Sequence, residues 1–172
     1  ALALENYGTL DHVIASCEVN SAMVASGLVS YNYGTMNACE AGESAKVKGT
    51  NACGLVYHSE GVMYGCENHA EITGATAAAG VAGIVGGEAA CTGCKNYGKI
   101  SSGGSAAGVF NVVQDKATVV GAENRGVVET SSTGYPNEEA GGIAGELDGK
   151  ASIIDSANFA PVSGTDKVGG IV

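Results

Sequence analysis

Two short patterns alternate six times along this chain, and that alternation constrains the fold more than anything else in the sequence. The first is a small or polar pair, an Asn, an often aromatic residue, Gly or Ala, any residue, and an aliphatic. It runs Leu4-Glu5-Asn6-Tyr7-Gly8-Thr9-Leu10 and Ser30-Tyr31-Asn32-Tyr33-Gly34-Thr35-Met36 near the start. It returns around Asn68, Asn96, Asn124 and Asn158. The second is Gly followed by two mostly aliphatic residues, at Gly27-Leu28-Val29, Gly54-Leu55-Val56, Gly83-Ile84-Val85, Gly108-Val109-Phe110, Gly142-Ile143-Ala144 and Gly170-Ile171-Val172. Successive Gly positions lie 27, 29, 25, 34 and 28 apart. A regular period of this length is the mark of a solenoid, in which each repeat buries its apolar face only against its neighbours.

Each repeat holds two or three apolar runs of strand length, separated by Gly, Asn, Ser or Asp. A weaker run precedes several Asn motifs, at Gly61-Val62-Met63, Ala117-Thr118-Val119-Val120 and Ala151-Ser152-Ile153-Ile154. Helix periodicity and caps are missing. The Ala-dense stretch from Ala75 to Ala82 lies among Gly74, Gly80 and Gly83, so it reads as turn and strand. The expectation is an all-β fold: a single parallel β-helix domain over residues 1–172. It has about six triangular rungs of roughly 28 residues and no visible cap at either end. Composition fits a thin coil. Gly contributes 28 residues, against 2 Phe and no Trp. Small side chains fill a narrow interior, and Gly or Asn supply left-handed corners. Asn6, Asn32, Asn68, Asn96, Asn124 and Asn158 are expected to form one amide ladder along a corner, each side chain satisfying the next.

These motifs carry a resemblance. Ala82-Gly83-Ile84-Val85-Gly86 and Cys94-Lys95-Asn96-Tyr97-Gly98-Lys99-Ile100 are similar to the GLUG repeat, found in bacterial surface and secreted proteins. Those include the non-catalytic region of immunoglobulin A1 protease-like proteins. The resemblance covers nearly the whole chain and departs from the pattern at 11–26 and 37–51. It implies a right-handed β-helix at an extracellular or cell-surface location. The repeats carry no catalytic residues to transfer.

Charge narrows the function. Eighteen acidic against eight basic side chains leave a net charge of -10. This excludes nucleic acid as a partner, because phosphate contacts need a basic face. No apolar run is long enough for membrane insertion. The five Asp are isolated, and His12, His58 and His69 stand in different repeats, so no acid pair or nucleophile elbow is recognisable. No catalytic residue, cofactor or metal is therefore expected. The Cys91-Thr92-Gly93-Cys94 motif lacks the second pair that a zinc site needs.

Three features remain as candidates. Cys66 and Cys94 share a repeat position one rung apart, about 4.8 Å in a parallel stack, which is disulfide range. They read as buried structural thiols or as a ladder disulfide. The residues after each Asn, namely Tyr7, Tyr33, His69, Tyr97, Arg125 and Phe159, predict one row. That row either stacks for stability or binds sugar rings. The residues before each Asn include Glu67, Lys95 and Glu123, an ion-pair ladder. The insertion Glu129–Glu139 stretches one repeat and reads either as a tolerated surface insertion or as a binding loop. The expected role is a structural module of a bacterial stalk or fibre. Its partners are neighbouring repeats or copies of itself end to end. The other reading is an adhesin that takes glycan or a host surface protein through the row or the 129–139 loop.

Overall fold

The computed structural model describes residues 3–131 and 138–172. Those residues form a parallel β-solenoid of about six turns, with no helix. Each turn contributes to four sheets, not the three sides expected. In the second turn, sheet one takes Val29–Asn32, sheet two Thr35–Asn37, sheet three Glu40–Ala41 and sheet four Val24–Ser26 before them and Lys46–Cys53 after. Sheets one to three have six strands each, and every pairing is to the equivalent strand of the neighbouring turn. The sheet-three strands are two residues long, too short for a fourth side to stand out in the sequence. The Ala-dense stretch is strand, within Glu71–Ala79, with a register shift between Gly74 and Ala77.

Stacking puts chemically similar side chains in columns. Sheet two stacks Leu10, Met36, Met63, Cys91, Val119 and Ile153 in one column, buried except for the half-buried Leu10 and Ile153. Sheet four lines up Val19, Val47, Ile72, Ile100, Val128 and Val162. On sheet one, Phe110 is the largest fully buried side chain, and its column neighbours above and below are Ala82 and Ala144. Large beside small keeps the interior filled without widening the coil.

The corners explain the glycines. Between sheets two and three, every turn has one residue with positive φ: His12, Ala38, Gly65, Gly93, Gly121 and Asp155. In the first five of these the N–H bonds a carbonyl of the next turn, as Ala38 does to Tyr64 and Gly93 to Val120. The left-handed corner is thus a property of the fold, kept even where the residue is not Gly. A second column enters sheet one: Gly27, Gly54, Gly80, Gly108, Gly142 and Gly170. A Cβ on any of the middle four would overlap the glycine carbonyl of the next turn and the side chain of Asn68, Asn96, Asn124 or Asn158. The third member is Gly80, with Val81 stacked on Leu55, so the Gly83-Ile84-Val85 reading is three residues late. Gly83 stands inside sheet one, on its outer side against Cys53 and Tyr57.

Candidate functional site

The six asparagines form two ladders, not one. Asn6 and Asn32 pair on sheet one and end on Ser59. Asn68, Asn96, Asn124 and Asn158 pair on sheet three, below which the column holds Ala41 and Ala15. Both ladders run in the same direction. The Nδ2 of each Asn donates to the Oδ1 of the Asn one turn on: Asn68 to Asn96 at 2.7 Å, Asn96 to Asn124 at 2.8 Å and Asn124 to Asn158 at 2.8 Å. The other ladder runs from Asn6 to Asn32 at 2.7 Å and then to the Ser59 hydroxyl at 3.1 Å. The second amide hydrogen of Asn96 goes to its own-turn Gly98 carbonyl, and the Oδ1 of Asn124 also accepts from the Gly126 N–H. A fully buried amide needs this degree of satisfaction.

Splitting the asparagines splits the rows beside them. Tyr7 stacks on Tyr33 at 5.0 Å, at the corner between sheets one and two. His69 stacks on Tyr97 at 4.6 Å, and the Arg125 guanidinium lies 4.6 Å over the Phe159 ring, at the corner between sheets three and four. In each pair the ring faces are turned toward each other along the coil. A sugar ring packs on an aromatic face, so these faces are already used. Tyr31, at the position before Asn32, carries the first cluster round onto the outer side of sheet one, with Tyr57 at 6.3 Å and His58 at 6.1 Å. Tyr57 and His58 belong to neither motif, and only their pairing next to Ser30 and Tyr31 reveals them.

Cys66 and Cys94 stand one turn apart in register, and Cys39 precedes them in the same column. All six cysteines are free thiols in the structure, Cys17 exposed and the other five buried. The Sγ of Cys66 faces the carbonyls of Met36 and Tyr64 at 3.6 Å. Contact with Cys66, with burial added, raises the pKa of Cys94 well above that of a free thiol. Burial pushes Cys53 up to about 12. A thiol held protonated, as at Cys53 and Cys94, is a poor nucleophile, whereas contact with Cys94 lowers the pKa of Cys66.

The charged rows run along the outside. Lys95 lies between Glu67 and Glu123, and its ammonium is 3.9 Å from the Glu123 carboxylate. Lys99 reaches Glu129 at 2.7 Å, which raises the lysine pKa. The insertion Glu129–Glu139 lies at the bulge of sheet four, and its residues 132–137 fall outside the described residues. Its far end bears a buried carboxyl, Glu138, whose Oε2 accepts from the Thr165 hydroxyl while Oε1 has no partner. Among the described residues, no group of three or more His, Cys, Asp or Glu side chains is placed to hold a metal ion.

The two ends of the coil differ from its middle. Leu4, Tyr7, Ile14 and Met23 are exposed at one end, by 62 to 74 %. Ile154, Phe159, Val168, Ile171 and Val172 are exposed at the other. There each sheet has a strand with only one neighbour. Compared with models of known protein families, with curated proteins and with solved structures, the chain matches none.

Proposed function

We propose that this chain is a non-enzymatic structural module of an extracellular bacterial stalk or fibre, which works by continuing end to end into further β-solenoid. The observation that carries this reading is the turn-on-turn repetition, in which each sheet pairs the equivalent strands of successive turns. The turns link Asn68, Asn96, Asn124 and Asn158 in one amide ladder and share one packed interior. A stack built this way extends by adding turns, and a head-to-tail contact between copies builds a filament when its rotation does not close. The bacterial surface setting rests on the likeness of the Gly-Ile-Val and Cys-x-Asn-x-Gly motifs to GLUG repeats. Sedimentation velocity and negative-stain microscopy over a hundredfold concentration range test the reading. Rods of constant width that lengthen with concentration support it; a sharp monomer peak throughout would sink self-stacking.

The adhesin reading has one observation in its favour, the cluster of Tyr31, Tyr57 and His58 on the outer side of sheet one. Binding to a glycan array that disappears in Tyr57→Ala would move the assignment there.

A further inference from the structure

We propose that Cys66 and Cys94 are an oxidisable pair, which hydrogen peroxide joins by a disulfide that ties the third turn of the coil to the fourth. The bond lies in the interior of one chain and is independent of end-to-end association.

Three thiols stand in one column at the corner that leads into sheet three: Cys39, Cys66 and Cys94, on successive turns. Val13 precedes them in that column and Ala122 follows. Cys66 and Cys94 are held in register from both sides. The Gly65 N–H donates to the Thr92 carbonyl at 2.8 Å, and the Lys95 N–H donates to the Cys66 carbonyl at 2.9 Å. The backbones of a parallel pair run about 4.8 Å apart, inside the Cα range of a disulfide. The two thiols are in contact with each other.

The other cysteines are poorer partners. The Sγ of Cys39 is turned to the carbonyls of Leu10 and Asn37, both at 3.5 Å, on the side of its own and the preceding turn. The Sγ of Cys94 has the Thr92 carbonyl alone, at 4.0 Å, among the described residues, and otherwise faces Cys66. Cys91 stacks on Met63 in sheet two, and Cys53 lies against Gly83 on the outer side of sheet one. Burial raises the pKa of both. Of the five buried thiols, Cys66 is the one whose pKa is lowered, by its contact with Cys94 first of all. The thiolate is the attacking form, so Cys66 reacts first.

An oxidant has a way in. The residue before each thiol is a left-handed glycine, Gly65 or Gly93, with nothing within 4 Å of its Cβ position. The corner outside the pair is bare of side chains, and local opening there admits a molecule little larger than water. The Cys66 thiolate attacks one peroxide oxygen, the O–O bond breaks, and hydroxide leaves a sulfenic acid behind. The sulfur of Cys94 then attacks that of Cys66, the S–O bond breaks, and the hydroxide leaves with the Cys94 proton as water. Two thiols and one hydrogen peroxide become one disulfide and two waters. The bond stands beside the amide contact of Asn68 with Asn96, two residues on. A solenoid opens turn by turn, and a covalent tie here stops that opening between the third and fourth turns.

Oxidation of the whole chain in a Cys17→Ser background tests the pair. Peroxide treatment is followed by denaturation and alkylation. Cleavage after Glu60, Glu67 and Glu88 then separates the peptide with Cys66 from the peptide with Cys91 and Cys94. The two peptides should appear joined, lighter than their sum by two hydrogen atoms. The link should persist in Cys91→Ala and vanish in Cys94→Ala, a change the coil tolerates at Ala122 of the same column. Cys66 should be consumed about tenfold faster than Cys53. A link from Cys66 to Cys39 or Cys91 instead, or five thiols still free after peroxide, overturns the pairing. The oxidised chain should also need more urea to unfold than the reduced chain, and dithiothreitol should remove the difference. An unchanged midpoint with the link in place would overturn its role as a tie between turns.

Discussion

At the scale of single residues, position in a column decides what a side chain is worth. Asn96 is fully buried between two other amides. Replacing it with Ala strands a donor on Asn68 and an acceptor on Asn124, so about 2–4 kcal/mol of stability should be lost in urea unfolding. Ala38 holds a left-handed backbone at φ 45°. Its equivalents Gly65 and Gly93 meet the same requirement with no Cβ. Ala38→Gly should therefore raise the urea midpoint, by about 1 kcal/mol in stability, reversing the usual cost of a glycine. The buried thiols set an alkaline limit. Cys53 has its pKa raised from 9.0 to about 12 by burial. The folded state holds this proton more tightly than the unfolded one. The stability it contributes is thus complete below pH 9 and is lost as pH rises toward 12, by about 1.4 kcal/mol per pH unit. Unfolding measured from pH 8 to 11 should show that fall, and Cys53→Ala should show less of it.

At the scale of strands and corners, columns matter more than the strands that form them. Phe110 fills space that Ala82 and Ala144 leave free. Phe110→Ala should cost about 3–5 kcal/mol, because neighbouring turns cannot collapse into the gap. The strands, their parallel pairing and the small interior were all legible from the interleaved motifs. The assignment of asparagines to sides was not, because one Asx corner serves at two places and looks the same in sequence. Asn6 and Asn32 stand 21 and 22 residues before the next entry into sheet one, at Gly27 and Gly54. Asn68, Asn96 and Asn158 stand 12 before theirs, at Gly80, Gly108 and Gly170. That difference in phase was present in the sequence. It is masked by the likeness of Gly83 to Gly80, since both precede an aliphatic and a small or β-branched residue. The left-handed column between sheets two and three was less visible still: three of its six members are His, Ala and Asp, so no residue type marks it.

At the scale of the whole molecule, electrostatics oppose the association of copies. Six of the eight basic side chains lie against a carboxylate, through Lys46, Lys95, Lys99, Lys116, Arg125 and Lys167. These pairs are exposed and each contributes little. They leave ten negative charges in surplus along the coil. Copies approaching end to end therefore repel over roughly 10 Å at 0.1 M salt and over roughly 30 Å at 0.01 M. The contacts that repeat from turn to turn are of another kind: amide hydrogen bonds, strand pairing and stacked apolar columns. Salt screens the repulsion without weakening these contacts, and apolar burial is insensitive to screening. Self-association should accordingly strengthen as sodium chloride rises from about 0.01 to 0.2 M. Light scattering across that series checks it. Association that weakens with salt would mean that copies are held together by charge pairs, which stacked amides and apolar columns do not supply.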